Sequence, residues 1–278
     1  MIPNGLQGSG EAAVLVPLTD ATPLTPGTYT VTFQADEATT VGATIKRASG
    51  GAAHVINVKF WVATSSDEVA GAAARAATEA TFRERGSTIF GGANLSIGSI
   101  EFIDALAEIS RTIDLPSSGN ETTQRALCSA LEDAFPQERF LHFVLVDSID
   151  DTEDQGGVTL GNAAGIPGAV LVAGSRTSCV VITANAGGVT LAGNATTAWH
   201  EAGHLLGLNH STEATGDFFD FIPDTPECDI SNDADGDGRV DQSECGDVDF
   251  MFHDTDNTGM SEDQGNFLAG HPMFQPAS

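Results

Sequence analysis

The sequence predicts a mixed α/β fold, and three observations carry that prediction. Apolar runs of strand length recur at Val55–Val62, Phe140–Val146 and Cys179–Thr183. An alanine-rich stretch of helical composition follows the first run, and a further helix around residue 200 follows the last. Strands alternating with helices in this way imply a sheet covered by helices.

Taken in order, residues 1–52 read as a β-rich N-terminal segment. Ala12–Leu18 is apolar, Pro26-Gly27 signals a turn, Thr28–Phe33 alternates with period two, and Thr40–Ile45 is a further short strand. The Val55–Val62 run is a buried strand. Ser66, Asp67 and Glu68 then supply an N-cap and an acidic first turn, and the alanine-rich helix runs to Arg85 with Gly86 as its stop. Further helices are expected over Ile100–Ile109 and Thr122–Phe135, with a closing helix over Ser261–Ala269. Between the later strands lies a Gly-rich stretch from Gly156 to Gly174.

Charge narrows the function. Among 278 residues there are 39 Asp plus Glu against 11 Lys plus Arg, a formal net charge of -28. Such a surface repels phosphate backbones and anionic lipid, so neither a nucleic acid nor a membrane partner is expected. It suits calcium binding, a salty medium, or a coat that keeps the chain soluble. No apolar run reaches the ~20 residues of a membrane span. Residues 1–5 show no basic or apolar leader pattern, so the opening reads as a trimmed precursor and secretion is argued from other features.

The 4 cysteines are one such feature. Cys228 and Cys245 bracket a short acidic loop, which leaves Cys128 and Cys179 as a second pair. Neither pair has the C-x-x-C spacing of a thiolate zinc site or a redox motif. Two disulfides in an oxidising compartment is the reading preferred over four buried thiols.

Residues 200–210 carry the chemistry: His-Glu-Ala-Gly-His-Leu-Leu-Gly-Leu-Asn-His. On a helix, positions i and i+4 share one face, so His200 and His204 can hold one zinc ion while Leu205 and Leu208 pack into the core. Thr196 or Thr197 is the expected cap. Gly207 permits a sharp turn that returns His210 as a third ligand. Three protein ligands leave a coordination position open, which marks a catalytic zinc. Glu201, beside the first ligand, is the general base.

This string is the long zinc signature of the metzincin metallopeptidases, and the chain resembles them through it. The resemblance implies a metzincin-like zincin with a twisted mixed sheet, a long active-site helix and a small C-terminal subdomain. The catalytic domain would span 53–278, divided into an upper subdomain 53–210 and a lower subdomain 211–278. The resemblance also implies a methionine turn beneath the zinc, with Met251 as the candidate and Met260 as runner-up. Asp224-Thr225-Pro226 and Met260–Gln264 look most like the pappalysin branch. Several metzincins carry Tyr two residues after the methionine; here that residue is His253, a possible replacement. The segment Gly161–Gly168 is the expected edge strand that pairs with substrate.

Residues 233–244 fit a twelve-residue calcium loop. Asp233, Asp235 and Asp237 take positions 1, 3 and 5, Gly238 takes position 6, and Glu244 takes position 12. Arg239 gives its main-chain carbonyl, and Asp241 acts directly or through water. Without amphipathic flanking helices, it reads as a structural clip between Cys228 and Cys245. His54, His142 and His271 read as structural, and Trp199 as core. The expected function is therefore a secreted, monomeric zinc endopeptidase acting on protein or peptide substrates. The alternative is a catalytically silent binding or adhesion module stapled by zinc and calcium.

Overall fold

The structure is a computed structural model that describes residues 53–277 apart from 106–108, 116–122, 135–137, 152–157, 173–174 and 255–256, together with Ala13, Thr30 and Lys46. The strands expected within 1–52 lie outside the described residues, as does part of the Gly-rich stretch.

Strand β1 (His54–Val62) is followed by helix α1 (Ala72–Phe90) and strand β2 (Leu95–Asp104). Strand β3 (Thr112–Leu115), helix α2 (Thr123–Ala134), β4 (Phe140–Val146) and β5 (Ser148–Asp151) come next. Then follow β6 (Gly161–Ala163), β7 (Cys179–Thr183), α3 (Ala195–Leu205), α4 (Gln242–Cys245), α5 (Glu262–Gly270) and β8 (Gln275–Pro276). The main sheet has the order β2-β1-β4-β7-β6, with β8 on the start of β1. Its long strands run parallel, while β6 runs antiparallel to β7 and β8 to β1. This is the mixed α/β sheet that the sequence predicts. Strands β3 and β5, unmarked by a long apolar run, form a separate two-stranded parallel sheet.

Alternation along the central strands sends side chains to two cores. Leu141, Phe143 and Leu145 of β4 join Phe60, Phe82 of α1 and Trp199 of α3 on one face. Val144 and Val146 join Trp61, Val181 and Leu127 and Leu131 of α2 on the other. Phe143 and Trp199 meet edge to face at 5.7 Å, and the Trp199 indole donates to the Phe82 carbonyl at 2.9 Å.

Three local readings are corrected. Ser66 caps a 3-10 turn over Asp67–Val69, accepting from the Glu68 N–H, and α1 begins later at Ala72. Gly86 does not stop α1. It lies inside the helix, where a Cβ would come within 2.7 Å of the Trp199 ring and overlap Ile97, so glycine lets α1, β2 and α3 approach closely. The stretch expected as a helix from Ile100 is strand through Asp104, pairing in parallel with β1 up to Val62↔Asp104. Its branched and aromatic residues suit a pleated surface, and long-range pairing overrides the helical spacing of Ile100 and Ile103.

Both cysteine pairs are disulfides. Cys128–Cys179 ties α2 to β7 with a Cα–Cα distance of 5.4 Å, and Cys228–Cys245 closes the acidic loop at 5.5 Å. No helix among the described residues is long and apolar enough to cross a membrane.

Candidate metal centre

Helix α3 places the first two histidines. Asn194, not Thr196 or Thr197, occupies its cap position, and the two threonines fall inside the first turn. The Asn194 amide turns instead to the carbonyls of Leu160 and Thr183, at 2.8 and 3.0 Å, fixing the helix start to the sheet. Leu205 and Leu208 are fully buried. Gly207 adopts φ +104, a left-handed conformation in which a side chain would be strained, and the chain turns back there to bring in His210.

The three imidazoles converge. The Nε2 of His210 lies 3.2 Å from that of His200 and 3.1 Å from that of His204. Each Nδ1 faces an oxygen that can only accept: the Phe250 carbonyl for His200, the Leu208 carbonyl for His204, and the Glu213 carboxylate for His210, at 2.8, 2.8 and 3.0 Å. Every Nδ1 must therefore carry a proton, and in a neutral ring every Nε2 presents a lone pair. Burial, then the neighbouring imidazoles, hold His200 well below its ordinary pKa, and they take His204 down to about 3. Three inward lone pairs repel one another, and a cation relieves that repulsion. Two ligands 2.0–2.1 Å from a common tetrahedral ion stand roughly 3.3–3.4 Å apart, close to the spacing seen here. The residues thus fit zinc.

The turn that carries Met251 packs against helix α3. Met251 is fully buried, and its neighbour Phe250 supplies the carbonyl that orients His200. A Cβ on Gly203 would overlap the Met251 sulfur and come within 3.1 Å of the Phe250 ring. Gly203→Ala is expected to cost about 1–3 kcal/mol as overpacking. A thermal melt should show several degrees lost, and an unchanged Tm would contradict this packing. Met260 packs against the core from beside α5.

Glu201 keeps part of its surface open, yet protein crowds it closely. Its Oε2 accepts from the Ala163 N–H of β6 at 2.8 Å. Burial raises its pKa to about 7, against the lowering effects of the Ala163 bond and of His210. Beside the third histidine opens a hollow of about 660 Å³, lined by His210, Glu213, Phe218, Phe219, Asp220 and Phe221 among others. Phe218 is 70% exposed there.

In the acidic loop, carboxylate oxygens of Asp233, Asp235 and Glu244 gather within 4.8 Å of one another. Gly238 has φ +84, and the Asp233 carboxylate accepts from the N–H groups of Gly236 and Gly238 at 2.7 and 2.9 Å. Asp235, Asp237, Arg239 and Asp241 line one hollow with Glu244 and His253. The Asp241 carboxylate also caps α4, accepting from Ser243 and Glu244. His253 donates from Nε2 to the Val240 carbonyl at 2.6 Å, so that nitrogen is committed to this loop. His142 and His271 are buried, and His54 lies at the start of β1.

Two supporting residues escaped the sequence reading. Glu213 fixes the His210 tautomer from three positions on, a spacing that hints at it. Asp249 is buried and accepts from the Ser211 hydroxyl, the Met251 N–H and the Gln264 amide, each at 2.9 Å. It knits the segment after His210 to the methionine turn and α5.

Fold and centre together define a mixed α/β domain carrying three convergent histidines beside a crowded glutamate. No family model matches the chain, and no curated protein matches it. Among solved structures, metalloproteinase-II from Bacteroides fragilis is similar with a TM-score of 0.35 and 16% identity, over 62% of this chain and 48% of that one. The chain thus spans about half the length of that protein.

Proposed function

We propose that the protein is a secreted zinc-dependent endopeptidase of the metzincin type, with His200, His204 and His210 holding zinc and Glu201 as general base. The carrying observation is the convergence of three Nε2 lone pairs, each fixed by a protonated Nδ1, beside the Glu201 carboxylate. A zinc ion held by these three residues would supply Lewis-acid polarisation of a peptide carbonyl and would lower the pKa of water. Glu201 is the residue placed to take a proton from the attacking water and to deliver it to the leaving amine nitrogen. Gly161, whose main-chain groups point away from β7, offers them to an extended substrate. The lower subdomain from residue 211, with the hollow beside His210, shapes the cleft on the leaving-group side. The pappalysin branch is favoured by Asp224-Thr225-Pro226 and Met260–Gln264.

The test is cleavage of an unfolded protein such as casein, with zinc per chain measured in parallel. One zinc per chain, activity lost on chelation and restored by zinc, is the expected result. Activity that survives zinc removal would sink the reading. One zinc per chain with no cleavage would support the stapled binding module instead.

Calcium in the 233–244 loop belongs to the same proposal, with the secreted location supported by the two disulfides. A ligand that binds only the folded state stabilises by about 2.7 kcal/mol at a hundredfold excess over its Kd. Adding calcium to the calcium-stripped protein should therefore raise Tm by several degrees, while Asp233→Asn with Glu244→Gln should melt alike with and without calcium. A wild type indifferent to calcium would refute the site.

A further inference from the structure

Among the described residues β6 pairs with β7 alone, which leaves its other main-chain edge unpaired there. The Ala164 N–H donates to the Cys179 carbonyl at 3.1 Å, and the Thr183 N–H donates to Leu160 at 2.9 Å. Antiparallel alternation then turns the main-chain groups of Gly161 and Ala163 away from β7. One of these outward groups, the Ala163 N–H, is the donor that meets Glu201 Oε2. Gly161 sits equally close, because a Cβ there would come within 2.9 Å of Glu201 Cγ. The edge strand therefore sets where the Glu201 carboxylate stands.

What sets the edge strand lies on the other face of the sheet. Gln124 of α2 is 1% exposed, and its amide forms a reciprocal pair with Asn162, the residue before Ala163. Gln124 Nε2 donates to the Asn162 carbonyl at 2.9 Å, and Asn162 Nδ2 donates to Gln124 Oε1 at 2.6 Å. One helical turn along, on the same face of α2, Cys128 is bonded to Cys179. Cys179 is the residue whose carbonyl pairs with Ala164. Helix α2 is thus fixed at two points to the strands that carry the edge.

We propose that Gln124 is a positioning residue: its buried amide pair with Asn162 holds β6 so that the Ala163 N–H fixes Glu201 in the cleft. The proposal rests on the peptidase reading only for its kinetic consequence, because the hydrogen-bond chain is a property of the folded protein. An apolar residue of similar size at position 124 keeps the α2 core filled and removes both bonds. The strand then loses its anchor on that face, while the three zinc ligands keep their own carbonyl and carboxylate partners.

The experiment uses the full chain and two readouts, amide hydrogen exchange by NMR and peptide kinetics at measured zinc content. In the wild type the Ala163 amide should be protected although it lies on an open edge. Glu201→Ala should speed its exchange by tenfold or more and leave the Asn162 and Ala164 amides, which face β7, unchanged. Gln124→Met should likewise speed Ala163 exchange by tenfold or more. It should also lower kcat by tenfold or more, with KM within about threefold and one zinc still bound per chain. Gln124→Leu also removes both bonds, one of which ends on the Asn162 main-chain carbonyl, and replaces Gln124→Met if that variant does not fold. An Ala163 amide that exchanges freely in the wild type, or one indifferent to both substitutions, overturns the proposal. So does a kcat within twofold of wild type once the pair is broken. If the wild type cleaves no peptide, the peptidase reading falls, and the exchange measurements still decide the clamp.

Discussion

Glu201→Ala is expected to lower kcat/KM for peptide cleavage by about 10²–10⁴-fold, the usual contribution of a positioned general base. The substitution leaves His200, His204 and His210 with their Nδ1 partners at Phe250, Leu208 and Glu213, so zinc content should stay at one per chain. Loss of activity at full zinc occupancy would separate the base from the ligands. Equal cleavage by both proteins would point to a contaminating protease and remove the support for Glu201. The pH profile carries an independent sign. The base works only when ionised, so activity falls as pH drops through its pKa. Burial raises that pKa to about 7 in the metal-free protein. A dication held at the three Nε2 atoms favours the carboxylate, so the acid limb of the zinc-loaded protein should lie below 7.

The largest expected effect on stability is at Asp249. Its carboxylate satisfies the Ser211 hydroxyl, the Met251 N–H and the Gln264 amide inside the protein. Truncation to alanine leaves those donors without an acceptor, at about 1–3 kcal/mol for each one that water does not reach. Asp249→Ala should therefore lose about 3 kcal/mol or more in denaturant unfolding. Zinc affinity should fall with it, because the same turn presents the Phe250 carbonyl to His200. A loss below about 1 kcal/mol, with zinc affinity intact, would show that the turn is held by its apolar packing alone. Burial holds the Asp249 pKa above the ordinary carboxylate range. A folded-state pKa that is raised contributes stability at low pH and loses it as pH rises through that pKa. The Asp249→Ala deficit should accordingly be no smaller in mild acid than at neutral pH.

The strand runs at Val55–Val62, Phe140–Val146 and Cys179–Thr183 were legible because each is an unbroken apolar stretch, as a central strand buried on both faces requires. Strand β2 was not. At the sheet edge, half of its side chains reach solvent, and its Ile100 and Ile103 also satisfy a helical period. Only pairing along β1 decides between the two. Gly86 was misread for a related reason, since a glycine that ends a helix and one that admits a neighbouring helix look the same in one dimension.

The centre divides the same way. The sequence by itself determined the residues whose geometry is local. His200 and His204 meet because a helix repeats every 3.6 residues, His210 returns because Gly207 can take positive φ, and the calcium-loop carboxylates converge within twelve residues. Tertiary structure alone decided what surrounds them. The Phe250 carbonyl behind His200, the Asp249 bonds to Ser211 and Gln264, and the Gln124–Asn162 pair that sets β6 against Glu201 join residues 15 to 50 positions apart along the chain. No short-range periodicity encodes such contacts. They exist because burying an N–H or a carbonyl without a partner is costly, so packing the two faces of the sheet selects the partners.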